Sequence, residues 1–136
     1  RVIIYDGKMH PVDSNEISFR LAGRNAFAEA FRNAAPKVLE PIYEVEVLVP
    51  GEMMGDVMSD INGRRGMVLG MEAEKNFQRL KALVPLAEMA NYSTTLSSIT
   101  GGRATFTMHF KSYELVPADV QDKLVKAYAA QQAEEE

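Results

Sequence analysis

The amino-acid sequence predicts an α+β fold, an antiparallel sheet with two helices on one face, preceded by a partial α+β domain. Three observations carry that expectation. Apolar residues alternate with polar ones over several short segments between residues 42 and 111, the period of half-buried strands. Two intervening stretches repeat apolar residues every three or four positions, the period of a helix packed on one side. Glycine, proline or asparagine punctuates nearly every change of period.

The chain opens as strand, loop and helix. Val2 to Tyr5 are aliphatic, β-branched or aromatic and read as a strand, and Asp6-Gly7 gives a turn. Asp13 is placed to cap a helix, with Glu16 three residues on to complete a capping box. The helix is expected from about Ser14 to Ala34, with Phe19, Gly23, Ala26 and Ala30 at helical spacing and Phe27 and Phe31 beside them. A glycine inside a helix costs about 1 kcal/mol relative to alanine, so Gly23 predicts a close approach by another element. Pro36 and Pro41 bracket the exit. One strand and one helix cannot bury these aromatic faces alone, and the chain starts in a strand-like run without Met. The opening therefore reads as part of a larger domain within a longer protein.

From residue 42 to 115 the order is β-α-β-β-α-β. Tyr43, Val45, Val47 and Val49 alternate with Glu44, Glu46 and Leu48, and Pro50-Gly51 ends the strand. Met54, Val57, Met58 and Ile61 form a helical stripe that stops near Asn62-Gly63 or Arg64-Arg65-Gly66. Met67 to Met71 and Phe77 to Val84 form the next two strands, the latter with Leu80, Ala82 and Val84 on one face. Pro85 can open a helix carrying Met89, Tyr92, Leu96 and Ile99, which Gly101-Gly102 ends. In the last strand Ala104, Phe106, Met108 and Phe110 face one way, and Arg103, Thr105, Thr107, His109 and Lys111 the other. This order is that of a ferredoxin-like split β-α-β sandwich. After Pro117 a final helix runs from about Ala118 to Gln131 and frays into Glu134-Glu135-Glu136.

Composition narrows the function. At 46% apolar and 25% charged residues the chain is in the globular range. No run approaches the roughly 18 apolar residues that span a bilayer, so no membrane partner is expected. The absence of cysteine excludes a disulfide framework, a thiol nucleophile and thiolate metal ligands. A net charge of -4 argues against a globally basic nucleic-acid binder, though not against a local basic patch. His10 and His109 lack partners at metal-ligand spacing, and no glycine-rich loop leads into Lys-Ser or Lys-Thr to cradle a phosphate. Glu44/Glu46 and Asp56/Asp60 are explained by solvated faces more simply than by acid-base chemistry. The chain is thus expected to have no catalytic, cofactor-binding or metal-binding residues.

Two surfaces could bind. The open sheet face would carry Arg79, Lys81, Arg103, His109 and Lys111, offset by Glu44 and Glu46, but its aromatics Phe106 and Phe110 alternate onto the covered side. A solvated face, or one packed on a neighbouring domain, therefore suits it better than a base-stacking surface. The second is Ser97-Ser98-Ile99-Thr100-Gly101-Gly102-Arg103, where small hydroxyls and flexible glycines let a backbone approach a sugar-phosphate chain and Arg103 adds charge. Arg64-Arg65-Gly66 reads as basic residues favoured at a helix C-terminus.

Several stretches, in order, resemble elongation factor G. They are Tyr5 to Ser14 (YDGKMHPVDS), Leu39-Glu40-Pro41-Ile42, Met54-Gly55-Asp56-Val57, Arg64-Arg65-Gly66, Leu69-Gly70-Met71-Glu72, Val84 to Met89 (VPLAEM) and Gly102-Arg103. The resemblance implies that residues 1–40 are the end of the family's fourth domain, 41–118 its ferredoxin-like fifth domain, and 119–136 a C-terminal helix and acidic tail. It implies a cytoplasmic parent protein that binds the ribosome and acts as a GTPase in translocation or ribosome recycling, with GTP and Mg held upstream of this chain. Expected partners are the sarcin-ricin loop and stalk base of the large subunit, and the protein's own upstream domains. Ser98, Thr100, Gly102 and Arg103 match the family's RNA-contacting turn. Ser97 stands where typical members have arginine and Gly101 where they have glutamine. Ser59 and Gly63 depart likewise from a glycine and an arginine, which points to a divergent paralogue. The alternative from another class is a stand-alone ferredoxin-like regulatory domain that binds a small molecule. A purely structural interdomain module is a third reading.

Overall fold

The computed structural model describes residues 1–135. Its chain forms two compact units, Arg1–Lys37 and a second beginning at Val38.

The first unit contains α1 (Glu16–Asn33). Asn15, not Asp13, caps it: its Oδ1 accepts the Ser18 N–H at 2.8 Å, leaving Asp13 in the preceding turn beside His10. Glu16 pairs with Arg20 instead of reaching back for a capping box. Val2–Tyr5 do not form the expected strand. A strand needs a neighbour to take its backbone hydrogen bonds, and no described residue pairs with this run. Nor does anything among the described residues come within 4 Å of a Cβ built on Gly23, so the close approach expected there is not made. Phe27 and Phe31 stack on each other at 5.8 Å and stay about half exposed.

The second unit is the sandwich. β1 (Leu39–Pro50), α2 (Met54–Gly63), β2 (Met67–Glu74), β3 (Phe77–Pro85), α3 (Tyr92–Thr100) and β4 (Thr105–Leu115) follow one another, and α4 (Ala118–Glu135) closes the series. The sheet order is β2-β3-β1-β4 with every pairing antiparallel, which is the split β-α-β arrangement. Period two works as expected in the centre: Val45, Val47 and Val49 of β1 and Leu80, Ala82 and Val84 of β3 share the buried face. Met54, Val57 and Ile61 of α2, with Tyr92 and Leu96 of α3, cover them. Each such aliphatic side chain contributes about 1.5–3 kcal/mol by leaving water.

The edges depart from the simple pattern. β1 begins at Leu39 despite Pro41, because from Leu39 to Pro41 it pairs with β4 alone, where a missing N–H is tolerated. β4 runs four residues past Lys111, since a bulge lets the chain continue: Tyr43 faces Phe110 but Ile42 faces Ser112, leaving Lys111 without a partner across the ladder. Phe110 lies on the helix-bearing face yet is 51% exposed, packed edge-on against Tyr43 beyond the helices. The second covering helix starts later than expected. Pro85 ends β3, Leu86–Glu88 make a 3-10 turn, and Asn91 at φ 58° breaks the path before α3. α4 is tied down near its start, where Val116 donates to the Val38 carbonyl and Val38 donates to Gln121. Further along, Leu124, Val125 and Tyr128 are exposed. It remains helical past Gln131 to Glu135, and the end of the expected frayed tail, Glu136, lies outside the described residues.

The exit of α2 is the tightest spot. Arg65 takes a left-handed conformation, and the Gly66 N–H closes back on the Ile61 carbonyl while Arg65 closes on Asn62, a Schellman ending. A Cβ on Gly66 would lie 2.6 Å from Ile61 Cγ2 and 2.7 Å from the Ile61 carbonyl oxygen. Gly66→Ala should therefore destabilise the chain by about 1–3 kcal/mol, the usual range for overpacking. Chemical denaturation checks this; an unchanged midpoint would mean the turn relaxes freely.

Candidate nucleic-acid interface

The α3–β4 turn stands out of the sandwich beside the turn that joins β1 to α2. Gly101 and Gly102 have φ of 61° and 77°, a left-handed pair that ends α3 without a side chain. Their N–H groups both return to the Ser97 carbonyl, and the Arg103 N–H returns to Thr100. Beyond the adjoining residues, no atom of the described residues lies within 4 Å of where a Cβ would sit on either glycine. Positive φ, not crowding, therefore calls for glycine, and the backbone is left bare toward the outside.

The four residues singled out from sequence divide. Ser98 and Gly102 are exposed. Arg103 is 54% exposed: its Nη1 donates to Glu52 Oε1 at 3.0 Å, Nε to the Thr100 carbonyl at 3.4 Å, and Nη2 to Met53 Sδ at 3.5 Å. Thr100 turns inward. It is fully buried, and its hydroxyl donates to the Leu96 carbonyl at 2.7 Å. Its side chain shapes the helix end and does not reach the outer surface. Glu52, which holds Arg103, was invisible to sequence reasoning because 51 positions separate the two.

The open sheet face is neutralised from within. Arg79 lies 2.8 Å from Glu74 and 3.8 Å from Glu46, and Lys81 is 3.6 Å from Glu72. His109 stands opposite Glu44 in the ladder. These pairs leave little uncompensated positive charge for a polyanion.

Arg64 and Arg65 also face inward. Arg64 donates to Asp60 at 2.9 Å, to the Glu88 and Ala90 carbonyls and to the Thr95 hydroxyl, and lies over the Tyr92 ring at 5.0 Å. Arg65 forks onto Glu40 at 2.9 and 3.0 Å and also reaches Glu88. The Glu40 hydrogen bonds hold its guanidinium well above the ordinary value; burial opposes them and Glu88 reinforces them. Among the described residues no three His, Cys, Asp or Glu gather as a metal would require, and no helix is long and apolar enough to cross a membrane.

Comparison with known proteins gives this geometry its context. The family model described as "Elongation factor G C-terminus" matches residues 37–124, which contain the whole β-α-β-β-α-β series. The chain belongs to the elongation factor G family. A second model, "Elongation factor G, domain IV", matches residues 1–35. An "Elongation factor G-like protein" of Thermotoga maritima is 50% identical over the whole of this chain, which covers 20% of that protein. A crystal structure from Thermus thermophilus superposes with a TM-score of 0.72 at 41% identity, covering 93% of this chain and 19% of that one. The chain thus spans about a fifth of the length of the relatives it matches.

Tyr92 supplies a test of the packing at the start of α3, beside Arg64. Burial pushes its hydroxyl up to about 12, Asp60 adding to the shift and Arg64 opposing it, and among the described residues the hydroxyl has no hydrogen-bond partner. A group protonated more tightly in the folded state contributes stability that is whole below pH 10 and is lost as pH rises through about 12. Tyr92→Phe should equal the native chain at pH 7 and escape an alkaline loss of about 2–3 kcal/mol. Denaturation midpoints at both pH values measure the difference, and parallel losses in the two proteins would contradict it.

Proposed function

We propose that this chain is the ribosome-binding C-terminal region of an elongation factor G-like GTPase that drives ribosomal translocation. The observation that carries the reading is the family match over nearly the whole chain, combined with the bare, arginine-flanked α3–β4 turn. In this reading residues 1–40 end the fourth domain, 41–118 form the fifth and 119–136 the terminal helix and tail. GTP and Mg belong to upstream domains, and the protein works in the cytoplasm, where ribosomes are. The same upstream domains are the natural cover for the aromatic face of α1.

Ser98, Gly102 and Arg103 meet the large-subunit RNA, at the sarcin-ricin loop near the stalk base. The glycines let a sugar-phosphate backbone come close, Ser98 offers a hydroxyl, and Arg103 offers charge. Thr100 acts indirectly, by fixing the helix end from which the turn departs. Family membership favours this reading over that of a stand-alone regulatory domain.

The test is binding of the full chain to purified large ribosomal subunits across a salt series. Arg103→Gln should weaken binding about tenfold at low salt. It should also flatten the slope of log K against log salt by about 0.7–0.9, the share of one phosphate contact. Unchanged affinity and slope would remove the turn from the interface.

A further inference from the structure

Arg103 is held in an uneven way. The hydrogen bond from Nε to the Thr100 carbonyl fixes the root of the guanidinium to the end of α3, on the side away from the fork. The fork itself is occupied by Glu52 on Nη1 and, weakly, by the Met53 sulfur on Nη2. Those two nitrogens are the ones a phosphate would engage in a bidentate contact. Glu52 is 67% exposed, and among the described residues Arg103 is its one ion-pair partner. Nothing buried needs the pair, and it can open into solvent.

We propose that Glu52 is a phosphate stand-in that sets the affinity of the α3–β4 turn for RNA. It holds the Arg103 fork in place in the free protein and is exchanged for a phosphate oxygen on binding. This inference rests on the ribosome-binding reading and adds a residue to it. The exchange accounts for a feature that only the structure reveals, a carboxylate beside the arginine expected to contact a polyanion. With Glu52 engaged, Arg103 carries no net attraction for random phosphates. A phosphate displaces Glu52 only where the bare Gly101-Gly102 backbone and Ser98 let it come close enough to fill the fork. Glu52 therefore lowers affinity and raises discrimination, as a competing internal ligand does.

Exposed ion pairs of this kind shift an equilibrium by a few-fold at most. Glu52→Gln keeps the shape and removes the charge, so it should tighten binding of the full chain to purified large ribosomal subunits by about two- to fivefold at low salt. Binding to a random single-stranded RNA should tighten at least as much. In an Arg103→Gln background the same change should alter affinity less than about twofold, because the competition is gone. Melting temperatures of all four proteins verify that each is folded. If Glu52→Gln has no effect or weakens binding while Arg103→Gln still weakens it, the exchange is wrong and the RNA contact stands. Equal tightening in both backgrounds would show that Glu52 acts through bulk charge, which also overturns the exchange. If Arg103→Gln has no effect at all, the ribosome-facing turn falls, and the exchange with it.

Discussion

The sandwich depends on the Arg64-Arg65-Gly66 turn. At the exit of α2 the chain must reverse sharply, and it does so with a non-glycine residue in the left-handed region, which costs roughly 1–2 kcal/mol. Arg65 is held there by the fork onto Glu40 at the start of β1 and by Glu88 after β3. Arg64 performs the matching task one residue earlier, joining Asp60 of α2 to the carbonyls before α3 and to the face of Tyr92. Two consecutive cations thus connect both covering helices to the central strand. Gly66 completes the reversal because Ile61 and Val84 leave no room for a side chain. A partly buried fork of this kind is weak support for net stability but supports a single arrangement of the parts, since removing either partner leaves a charge without its counterpart.

With the helices fixed in that way, the opposite end of the sandwich is free to present a turn that is not crowded. The α3–β4 turn commits its N–H groups to the helix it terminates, buries Thr100 as a stop, and leaves glycine backbone, Ser98 and Arg103 outside. The open sheet face contributes little to such a surface, because β1 and β2 bring carboxylates to its cations. The acidic balance of the whole chain and its exposed, arginine-flanked turn are therefore compatible: the cations of the sheet and of the turn are each answered by a nearby carboxylate.

Much of this was legible from the residues. Period-two alternation in Tyr43–Val49 and Leu80–Val84 identified the central strands and their buried faces, since those strands have neighbours on both sides. Gly101-Gly102 marked the end of α3 for the reason the structure shows. What escaped was whatever depends on a partner distant in sequence. Val2–Tyr5 has strand-forming residues but no pairing strand among the described residues, and propensity alone does not make a sheet. Asp13 and Asn15 are both good caps, and only geometry chooses Asn15. The bulge at Lys111 has no glycine or proline to announce it. In the site, the exposure of Ser98 and Gly102 follows from local turn chemistry, whereas the inward turn of Thr100 follows from helical phase at a buried end. The Arg103–Glu52 pair and the fork of Arg65 onto Glu40 arise only when the sheet brings separate turns together.

The way α4 is attached has a consequence for how the second unit loses structure. The central strands β1 and β3 and the two covering helices share one core, so the hydrogen-bonded amides around it are the last to exchange with solvent. α4 is secured near its first turn, by Val116 and Gln121, while Leu124, Val125 and Tyr128 face outward. Its later turns can unwind without disturbing a single core contact. The unit therefore has two tiers of protection, a cooperative block built on β1, β3 and the two covering helices, and a terminal helix whose far end opens independently. Any surface that covered those three side chains would raise the second tier toward the first while leaving the sandwich as it is.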